Sequence, residues 1–359
     1  MKFLIHNLFS IISKIFTKKF SIYIYKRDGF IKKISYRKIK KLNIFFIKNG
    51  KIFTNSNEDA AYIKNNFILS DLSYQYRNSK NLGIKKNFIF KTGTNKFKKK
   101  YKGKIISIIS GGAAKNNYGH WLFDAISRLL IILELKEIKK FDYLYVPSYK
   151  YQYQKDSLKY LNIPSNKIIS SEKNKFIEGS EIICTTHPFS HRFDNLSEPI
   201  IKIVRKNFIN FASLSKIKTS DRVYIERDYN GLDLSKNLSK YKDSRILINN
   251  QEIKNYLKKI GFKSFNLKYL SFSDQIKIFS KAKIIVSMYG AELSNLVFCK
   301  KGTKVLEIKN NNKLNDFKNI SKRCGLNHTQ INLIPLYKSN VIQNGIVKCE
   351  LKQLKSALK

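Results

Sequence analysis

The sequence predicts an α/β protein with two domains. Short apolar runs typical of buried strands alternate with amphipathic segments typical of helices. The alternation extends from about residue 101 to 216, restarts at 217 and continues to 310. With 359 residues, 43% of them hydrophobic, the chain is long enough to bury two cores. We therefore predict two Rossmann-like domains, each a parallel sheet covered by helices, that face each other across a cleft.

Residues 1–100 are predicted to be an N-terminal region of short strands, with β-like runs at IYIYK, KISYR, LNIFFI and NFIFKTG. Its first segment, MKFLIHNLFSIISKIFTKK, places apolar residues at helical spacing and polar residues, including lysines, on the other face. The segment is too short and too interrupted to span a bilayer, and it lacks the cleavage site of a signal peptide. Two interpretations stay open: a basic amphipathic helix on an anionic membrane surface, and an ordinary first helix packed on the domain.

The patterns assign the elements of the first α/β domain, residues 101–216, in order. Its strands are predicted at IISIIS, which ends in a Gly-Gly turn, at FDYLYVP and at EIICTT. Its helices are predicted at HWLFDAISRLLIILELKEI and YQKDSLKYLNI.

The second domain, residues 217–310, shows the same alternation. Its strands are predicted at RVYIER, KIIVSM and KVLEIK, and its helices at NNQEIKNYLKKIGF, SFSDQIKIFSKA and AELSNLVFC. Residues 311–359 are predicted to form a C-terminal segment of a strand and helices that returns to the first domain.

The formal net charge of +45, from 70 Lys and Arg against 25 Asp and Glu, would attract anions of every kind. The excess is mostly lysine, and it is spread over the whole chain together with abundant Ile, Asn, Phe and Tyr. A dedicated nucleic-acid protein more often clusters its basic residues in one stripe. A compositional bias at surface positions therefore explains the charge, and no specific nucleic-acid partner is predicted.

The cysteines lie far apart, at Cys184, Cys299, Cys324 and Cys349, and form no CxxC pair. Their spacing fits neither a metal site nor a disulfide framework. We therefore expect reduced thiols in a cytoplasmic protein.

The segment NNYGHWLFDAISR carries the first candidate site. His120, Asp124 and Arg128 recur every four residues, so on a helix they share one polar face. A carboxylate beside an imidazole can set its tautomer and stabilise its protonated form, as a general base requires. Asn117 and Arg128 are candidates for supporting roles. The alternative is a helical Asp–Arg pair with a histidine that only caps or solvates the helix.

The segment VSMYGAELSNL is the second candidate. A buried strand runs into Tyr289 and Gly290, and a helix is predicted to start at Ala291 and to include Asn295. Free backbone N–H groups and the positive end of the helix dipole hold anions at such a place, and glycine lets a phosphate approach closely. The alternative is an ordinary strand-to-helix connection.

Two arginines form the third candidate. Arg227 ends the strand RVYIER, and Arg245 lies further along the chain. Arginines at the carboxyl end of a strand in an open α/β sheet point into the ligand crevice, and their planar fork suits a diphosphate. The alternative is a pair of solvated surface arginines. The sequence contains no GxGxxG, P-loop, HExxH, GxSxG or evident DxD pair, so it indicates neither a dinucleotide site nor a metal site.

Four segments, in their order and spacing over roughly residues 105–310, resemble glycosyltransferase family 61. They are NYGHWLFDAISRLL, RVYIERD, FSDQIKIFSKAKIIVSMYGAELSNLVF and KGTKVLEI. Three positions depart from the usual family pattern. Tyr289 replaces a histidine at a donor-binding position, Ser294 stands where threonine is usual, and Glu226 stands where the family favours serine.

The resemblance implies a fold of the GT-B type and an inverting transfer of a sugar from a nucleotide-sugar donor, with no required metal or other cofactor. Bacterial members are generally associated with capsule, lipopolysaccharide or exopolysaccharide synthesis, so a glycan or lipid-linked glycan is the expected acceptor. His120, oriented by Asp124, is expected to act as the base, and direct action of Asp124 is the second choice.

On the donor side, the resemblance implies that Arg227, Arg245 and the backbone at Gly290 and Ala291 stabilise the departing diphosphate, and that Asn295 contacts the donor. The expected location is cytoplasmic, with peripheral attachment to the inner face of the cell membrane. Two other classes of protein stay open. One is a catalytically inactive membrane-surface scaffold of the same fold, which the loss of the family histidine favours, and the other is a basic nucleic-acid-binding protein.

Overall fold

The computed structural model describes residues 20–25, 29–55, 59–73, 75–77, 80–109, 111–138, 140–189, 193–227, 229, 232 and 238–359. The amphipathic segment predicted at residues 1–19 lies outside the described residues. The chain divides into two compact units, Met1–Val204 and Arg205–Lys359. Both units combine strands with helices, which confirms the prediction of an α/β protein.

The strands of the first unit form one large mixed sheet. Their bounds are β1 Ser21–Tyr23, β2 Lys32–Ser35, β3 Asn43–Lys48, β4 Lys51–Thr54, β5 Ala60–Lys64, β6 Phe67–Leu69, β7 Tyr76–Arg77, β8 Lys80–Asn81, β9 Lys99–Ser107, β10 Tyr143–Val146, β11 Ile168–Ser170 and β12 Phe176–Thr185. Within the described residues, all but β7 and β8 join this sheet, in the order β1-β6-β5-β4-β12-β9-β10-β11, with β3 also on β12 and β2 on β3.

The carboxyl-terminal part of this sheet is parallel. β12 pairs in parallel with β9, β9 with β10 and β10 with β11, whereas β3 and β4 pair antiparallel with β12. Ile105, Ile177 and Ile182 are fully buried in the core cluster of this unit. The continuous apolar runs of β9 and β12 are explained by burial on both faces, as expected for strands inside a parallel sheet.

The helices of the first unit lie mainly after β9. Their bounds are Ile84–Lys86, Ile89–Thr92, Ala113–Lys115, Tyr118–His120, Trp121–Ile126, Ser127–Leu133, Gln152–Tyr160, Ser165–Lys167, Phe193–Asn195 and Glu198–Phe208, the last of which crosses the division between the units. The strand predicted at NFIFKTG is wrong, because this segment forms a helical turn. The Asn87 side chain accepts a hydrogen bond from the Ile89 backbone N–H at 3.1 Å, which starts the turn, and Gly93, with a φ of 58°, ends it.

The second unit is built on a parallel sheet. Its strands are β13 Arg222–Ile225, β14 Arg245–Leu247, β15 Lys263–Phe265, β16 Ile284–Met288, β17 Lys304–Asn310, β18 Asn327–Leu333, β19 Tyr337–Lys338 and β20 Gly345–Val347. The order β15-β13-β16-β17-β18 forms a five-stranded sheet of parallel pairs, and β14, β20 and β19 form a small separate sheet.

Helices connect the strands of the second unit. Their bounds are Ile209–Leu214, Leu238–Tyr241, Asn250–Lys259, Leu267–Tyr269, Phe272–Lys281, Ala291–Phe298, Asp316–Cys324 and Leu351–Leu358. Local sequence defines their ends. Ser271 and Asp274 form a reciprocal capping box before Phe272–Lys281, and left-handed Gly325 ends Asp316–Cys324. Every helix in the described part of the chain falls short of the length and apolarity needed to cross a bilayer.

The C-terminal segment differs from its prediction. We expected residues 311–359 to return to the first domain, but they belong to the second unit, which begins at Arg205 rather than at 217. The physical reason is that β18 extends the parallel sheet and Leu354, on the last helix, is fully buried in a cluster with Leu333 and Val347. The assignment of an acceptor domain and a donor domain stays a prediction.

Replacement of Leu354 by Ala tests this packing. Removing a fully buried leucine should lower the free energy of unfolding by roughly 2–5 kcal/mol, through lost burial and the cavity that remains. Denaturant unfolding monitored by circular dichroism measures the effect. The control is Leu214→Ala at an exposed position, and equal stability of the two variants would contradict the packing.

Candidate functional site

The first cluster of polar side chains lies beyond the carboxyl ends of β9 and β12. These strands are parallel neighbours, with Ile182 opposite Ile105 and Ile183 opposite Ile106. After β9 the chain turns and forms the helix Tyr118–His120. A second histidine lies two residues after the end of β12. Since parallel strands point their carboxyl ends toward the same edge, both segments converge there.

A helical segment of unusual geometry carries His120 and Asp124. The Asn117 side chain caps the segment by accepting a hydrogen bond from the His120 backbone N–H at 3.2 Å. The residues that follow, Trp121–Ile126, form a π-helix, whereas an uninterrupted α-helix was predicted. His120 Nδ1 lies 2.8 Å from Asp124 Oδ2. π-helical turns are rare and occur frequently at functional sites.

His187 is the residue that sequence reasoning missed. Its Nε2 lies 3.8 Å from Asp124 Oδ2, so two imidazoles approach one carboxylate oxygen. The Phe189 backbone N–H donates to His187 Nδ1 at 3.4 Å. A backbone N–H can only donate, so this contact favours the His187 tautomer with its proton on Nε2, the nitrogen nearer to Asp124. The available signal was a histidine directly after the strand EIICTT.

Burial distinguishes the two histidines. The side chain of Asp124 is 0% exposed and that of His187 is 3% exposed, whereas that of His120 is 17% exposed. The Asp124 carboxylate favours the His120 tautomer with its proton on Nδ1, which puts the basic lone pair on Nε2. The Phe193 ring stacks on the His120 ring with centroids 5.0 Å apart. His120 is therefore the histidine that is more accessible to a substrate. The buried Asp124 carboxylate favours its tautomer.

Arg128 lies deeper than the predicted polar face. It is fully buried, and its guanidinium donates to the Ile109 carbonyl at 2.7 Å. Burial raises the pKa of Tyr76 to about 12, with Arg128 lowering it and Asp124 raising it, so both charges act on this ring. The structure thus brings His120 and Asp124 into contact. Arg128 is instead a fully buried cation bound to a backbone carbonyl, which indicates a structural role.

The second cluster lies at the carboxyl ends of β13 and β16, which are also parallel neighbours. Arg227 follows β13, and Tyr289 and Gly290 follow β16. The guanidinium nitrogens of Arg227 and of Arg245, which begins β14, each lie 3.4 Å from the Tyr289 carbonyl oxygen. The arginines of the third candidate and the glycine turn of the second therefore form one site.

Two basic side chains lie side by side in this cluster. Among the described residues, Glu292 Oε2 lies 3.4 Å from an Arg227 guanidinium nitrogen. Burial, followed by the like charge of Arg227, lowers the pKa of Arg245. Two neighbouring guanidiniums therefore meet at the Tyr289 carbonyl. Such a site favours a ligand with several negative oxygens.

Gly290 suits this position because of the space around it rather than because of its backbone conformation. Its φ of −179° is extended, which any residue can adopt. A Cβ atom at this position would lie 2.2 Å from Glu292 Oε2 and 2.3 Å from an Arg227 guanidinium nitrogen. Glycine therefore lets both side chains close over the turn. The helix that follows, Ala291–Phe298, is a 3₁₀-helix.

Tyr289 supports the arginine pair from one side. Its hydroxyl donates to Asp316 Oδ2 at 2.5 Å, and the Phe317 ring packs against it at 5.0 Å. Burial, followed by the charge of Asp316, raises the pKa of Tyr289, so the side chain is a neutral phenol. The Arg245 guanidinium lies 5.8 Å from the ring centroid, within the range of a cation–π contact.

Asn295 is fully buried below this turn. Its amide donates to the Gln275 side chain and to the Glu292 carbonyl, both at 3.1 Å. These bonds hold the start of the 3₁₀-helix, and a contact of Asn295 with a donor stays a prediction. Glu226, at the position where the family favours serine, forms an ion pair with Lys254 at 2.8 Å.

Together, the two clusters define an α/β protein with polar side chains at the carboxyl edges of parallel strands, the usual ligand-binding position of this class. The family model Glycosyltransferase 61 matches residues 118–306, which is more than half of the 359 residues and includes both clusters. The chain belongs to glycosyltransferase family 61, which confirms the resemblance. A comparison with curated proteins gave no match.

Replacement of Arg128 by Met tests its structural role. The variant leaves the buried Ile109 carbonyl without its charged donor, so we expect a loss of about 1–3 kcal/mol in unfolding free energy. Chemical denaturation measures the loss, and Arg37→Met, at an exposed position, is the control. A variant as stable as the control would show that Arg128 is not needed for folding.

Proposed function

We propose that this protein transfers a sugar from a nucleoside-diphosphate donor to a surface glycan by a metal-independent, inverting displacement. Family membership implies a glycosyltransferase. The observation that carries the proposal further is the arginine pair at the Tyr289 carbonyl, beside a glycine turn where a Cβ atom would meet the Arg227 and Glu292 side chains. This cluster has the charge and the donors to bind a diphosphate.

In the proposed reaction, the acceptor hydroxyl gives its proton to His120 Nε2 while its oxygen attacks the anomeric carbon. The bond between that carbon and the diphosphate oxygen breaks, and the diphosphate leaves with the electron pair. Asp124 stabilises the imidazolium that forms, and His187, through its contact with Asp124, acts as a positioning residue. Direct proton removal by Asp124 is the second choice, and its complete burial makes it less favourable.

On the leaving-group side, Arg227 and Arg245 neutralise the charge that develops on the diphosphate. The backbone N–H groups at Gly290 and Ala291 add donors at the start of the 3₁₀-helix. Fixed guanidiniums and backbone dipoles would thereby replace a metal ion. We assign the acceptor side to the first unit and the donor side to the second, in a fold of the GT-B type.

The biological setting follows from the same proposal. The acceptor is a glycan or lipid-linked glycan of a capsule, lipopolysaccharide or exopolysaccharide. The reaction takes place in the cytoplasm, with the protein attached peripherally to the inner face of the membrane. The inactive-scaffold alternative rests on Tyr289, which in this structure contacts Arg245 and Asp316. A gain of transfer in Tyr289→His would favour that alternative for the natural chain.

A thermal-shift screen against nucleoside diphosphates and their sugars, with and without EDTA, tests the donor site. A ligand that binds only the folded chain raises the unfolding midpoint. We expect one nucleotide class to stabilise the protein equally in both conditions. Arg227→Met should weaken its binding by about 10- to 100-fold, as expected for the loss of a charge-assisted hydrogen bond.

Arg222→Met is the matched control, since Arg222 begins the same strand that Arg227 follows and is exposed. It should bind the nucleotide as the wild type does. The absence of any nucleotide response, or equal losses in both variants, would contradict the donor site. A response abolished by EDTA would contradict metal independence.

Transfer assays with the stabilising nucleotide sugar test the base. His120→Gln should lower kcat by about 10²- to 10⁴-fold with little change in the donor KM, because the proton acceptor is lost. His187→Gln should lower kcat by a smaller factor with little change in the donor KM, because His187 contacts the carboxylate that orients His120.

The control is His328→Gln in the second unit, where a buried histidine contacts Glu307 at 3.0 Å. This variant should alter thermal stability without changing kcat. Full activity of His120→Gln would exclude it as the base. A His187 variant that changes only stability would reduce its role to packing.

A further inference from the structure

A hairpin in the second unit exposes an unusual number of large apolar side chains. We define the apolar hairpin as residues 334–347, which contains β19 and β20. Among the described residues, its exposed apolar side chains are Ile334 at 77%, Leu336 at 55%, Tyr337 at 39%, Val341 at 41% and Ile342 at 56%. Isolated exposed apolar residues are common, but a cluster of this kind marks an interaction surface.

The turn of the apolar hairpin is held in place by hydrogen bonds. The Asn310 side chain donates to the carbonyls of Ile342 and Asn344, at 3.1 and 2.8 Å. Ser339 donates to Asp243 at 2.6 Å and accepts from the Val341 backbone N–H at 2.9 Å. An ordered turn therefore holds Val341 and Ile342 in their exposed positions.

Exposed lysines lie beside the turn of the apolar hairpin. Lys313 and Lys338, both exposed, line one hollow of about 320 Å³ together with Ile342. Two more exposed lysines, Lys240 and Lys242, lie on the neighbouring segment that bonds to the hairpin through Asp243. The surface thus combines apolar side chains with a basic rim, and Asp243 is an acidic residue within it.

We propose that the apolar hairpin is a membrane-docking surface for an anionic bilayer. Ile334, Leu336, Val341 and Ile342 enter the boundary between headgroups and acyl chains, while the lysine rim contacts anionic headgroups. Charge complementarity favours a bilayer over a second copy of this chain. At a net charge of +45, self-association through this surface would bring two lysine rims together.

This inference adds a surface to the peripheral location proposed above. It does not depend on the transfer reaction, because vesicle binding is measured without donor or acceptor. Failure of one proposal would therefore not contradict the other.

Co-sedimentation of the full chain with vesicles tests the surface. We expect binding to phosphatidylcholine vesicles that contain phosphatidylglycerol, and much weaker binding to pure phosphatidylcholine. The double variant Val341→Ser/Ile342→Ser should reduce the partition coefficient by about tenfold, because two apolar side chains no longer enter the boundary while the net charge is unchanged. Lys313→Gln/Lys338→Gln should lower binding only to the anionic vesicles.

Leu214→Ser/Tyr269→Ser is the matched control, since both residues are equally exposed, at 64% and 63%, and lie elsewhere in the second unit. It should bind as the wild type does. The proposal is overturned if the wild type binds no anionic vesicles, or if the hairpin and control variants bind equally. It is also overturned if analytical ultracentrifugation shows a dimer that the hairpin variant dissociates, which would make the surface a contact between copies.

Discussion

Parallel strand pairing is the constraint on which both candidate sites depend. β9 pairs with β12 and β13 with β16, so the segments that follow each pair of strands leave from the same edge. In the second unit this brings Arg227 to the Tyr289 carbonyl, although the two residues are 62 positions apart in sequence. In the first unit it brings His187 to Asp124. A change in the register of either pair would separate the groups, so the chemistry depends on the core of each sheet.

The two clusters differ in the sign of the charged groups that they bury. Asp124 is an anion buried beside two imidazoles, which supply charge only when one of them is protonated. Burial, followed by the like charge of Arg227, lowers the pKa of Arg245. The arrangement costs free energy, because two like charges are held close together in a buried position. Perturbed groups of this kind cluster at functional sites, which makes the arginine pair a candidate anion site.

The sequence predicted the strands around both sites from their short apolar runs, two of which are closely followed by glycine, at Gly111 and Gly290. It also placed His120 with Asp124 and Arg227 near the Gly290 turn. It missed His187, since a single histidine after a strand has no periodic pattern and its partner is distant in sequence. The strand predicted at NFIFKTG failed because a side-chain cap from Asn87 overrode β propensity. The placement of residues 311–359 failed because local patterns do not specify which sheet a strand extends.

The arginines are better indicators of the candidate sites in this chain than the net charge is. Lysine dominates the basic residues and is spread along the sequence, as a compositional bias would spread it. The arginines at both sites are instead held against backbone carbonyls: Arg128 at Ile109, and Arg227 and Arg245 at Tyr289. A guanidinium tolerates such burial and offers several donors in fixed directions, which an ammonium group does not. The positive charge of the whole protein is therefore a general property of its surface, whereas a few arginines are fixed at defined positions in the candidate sites.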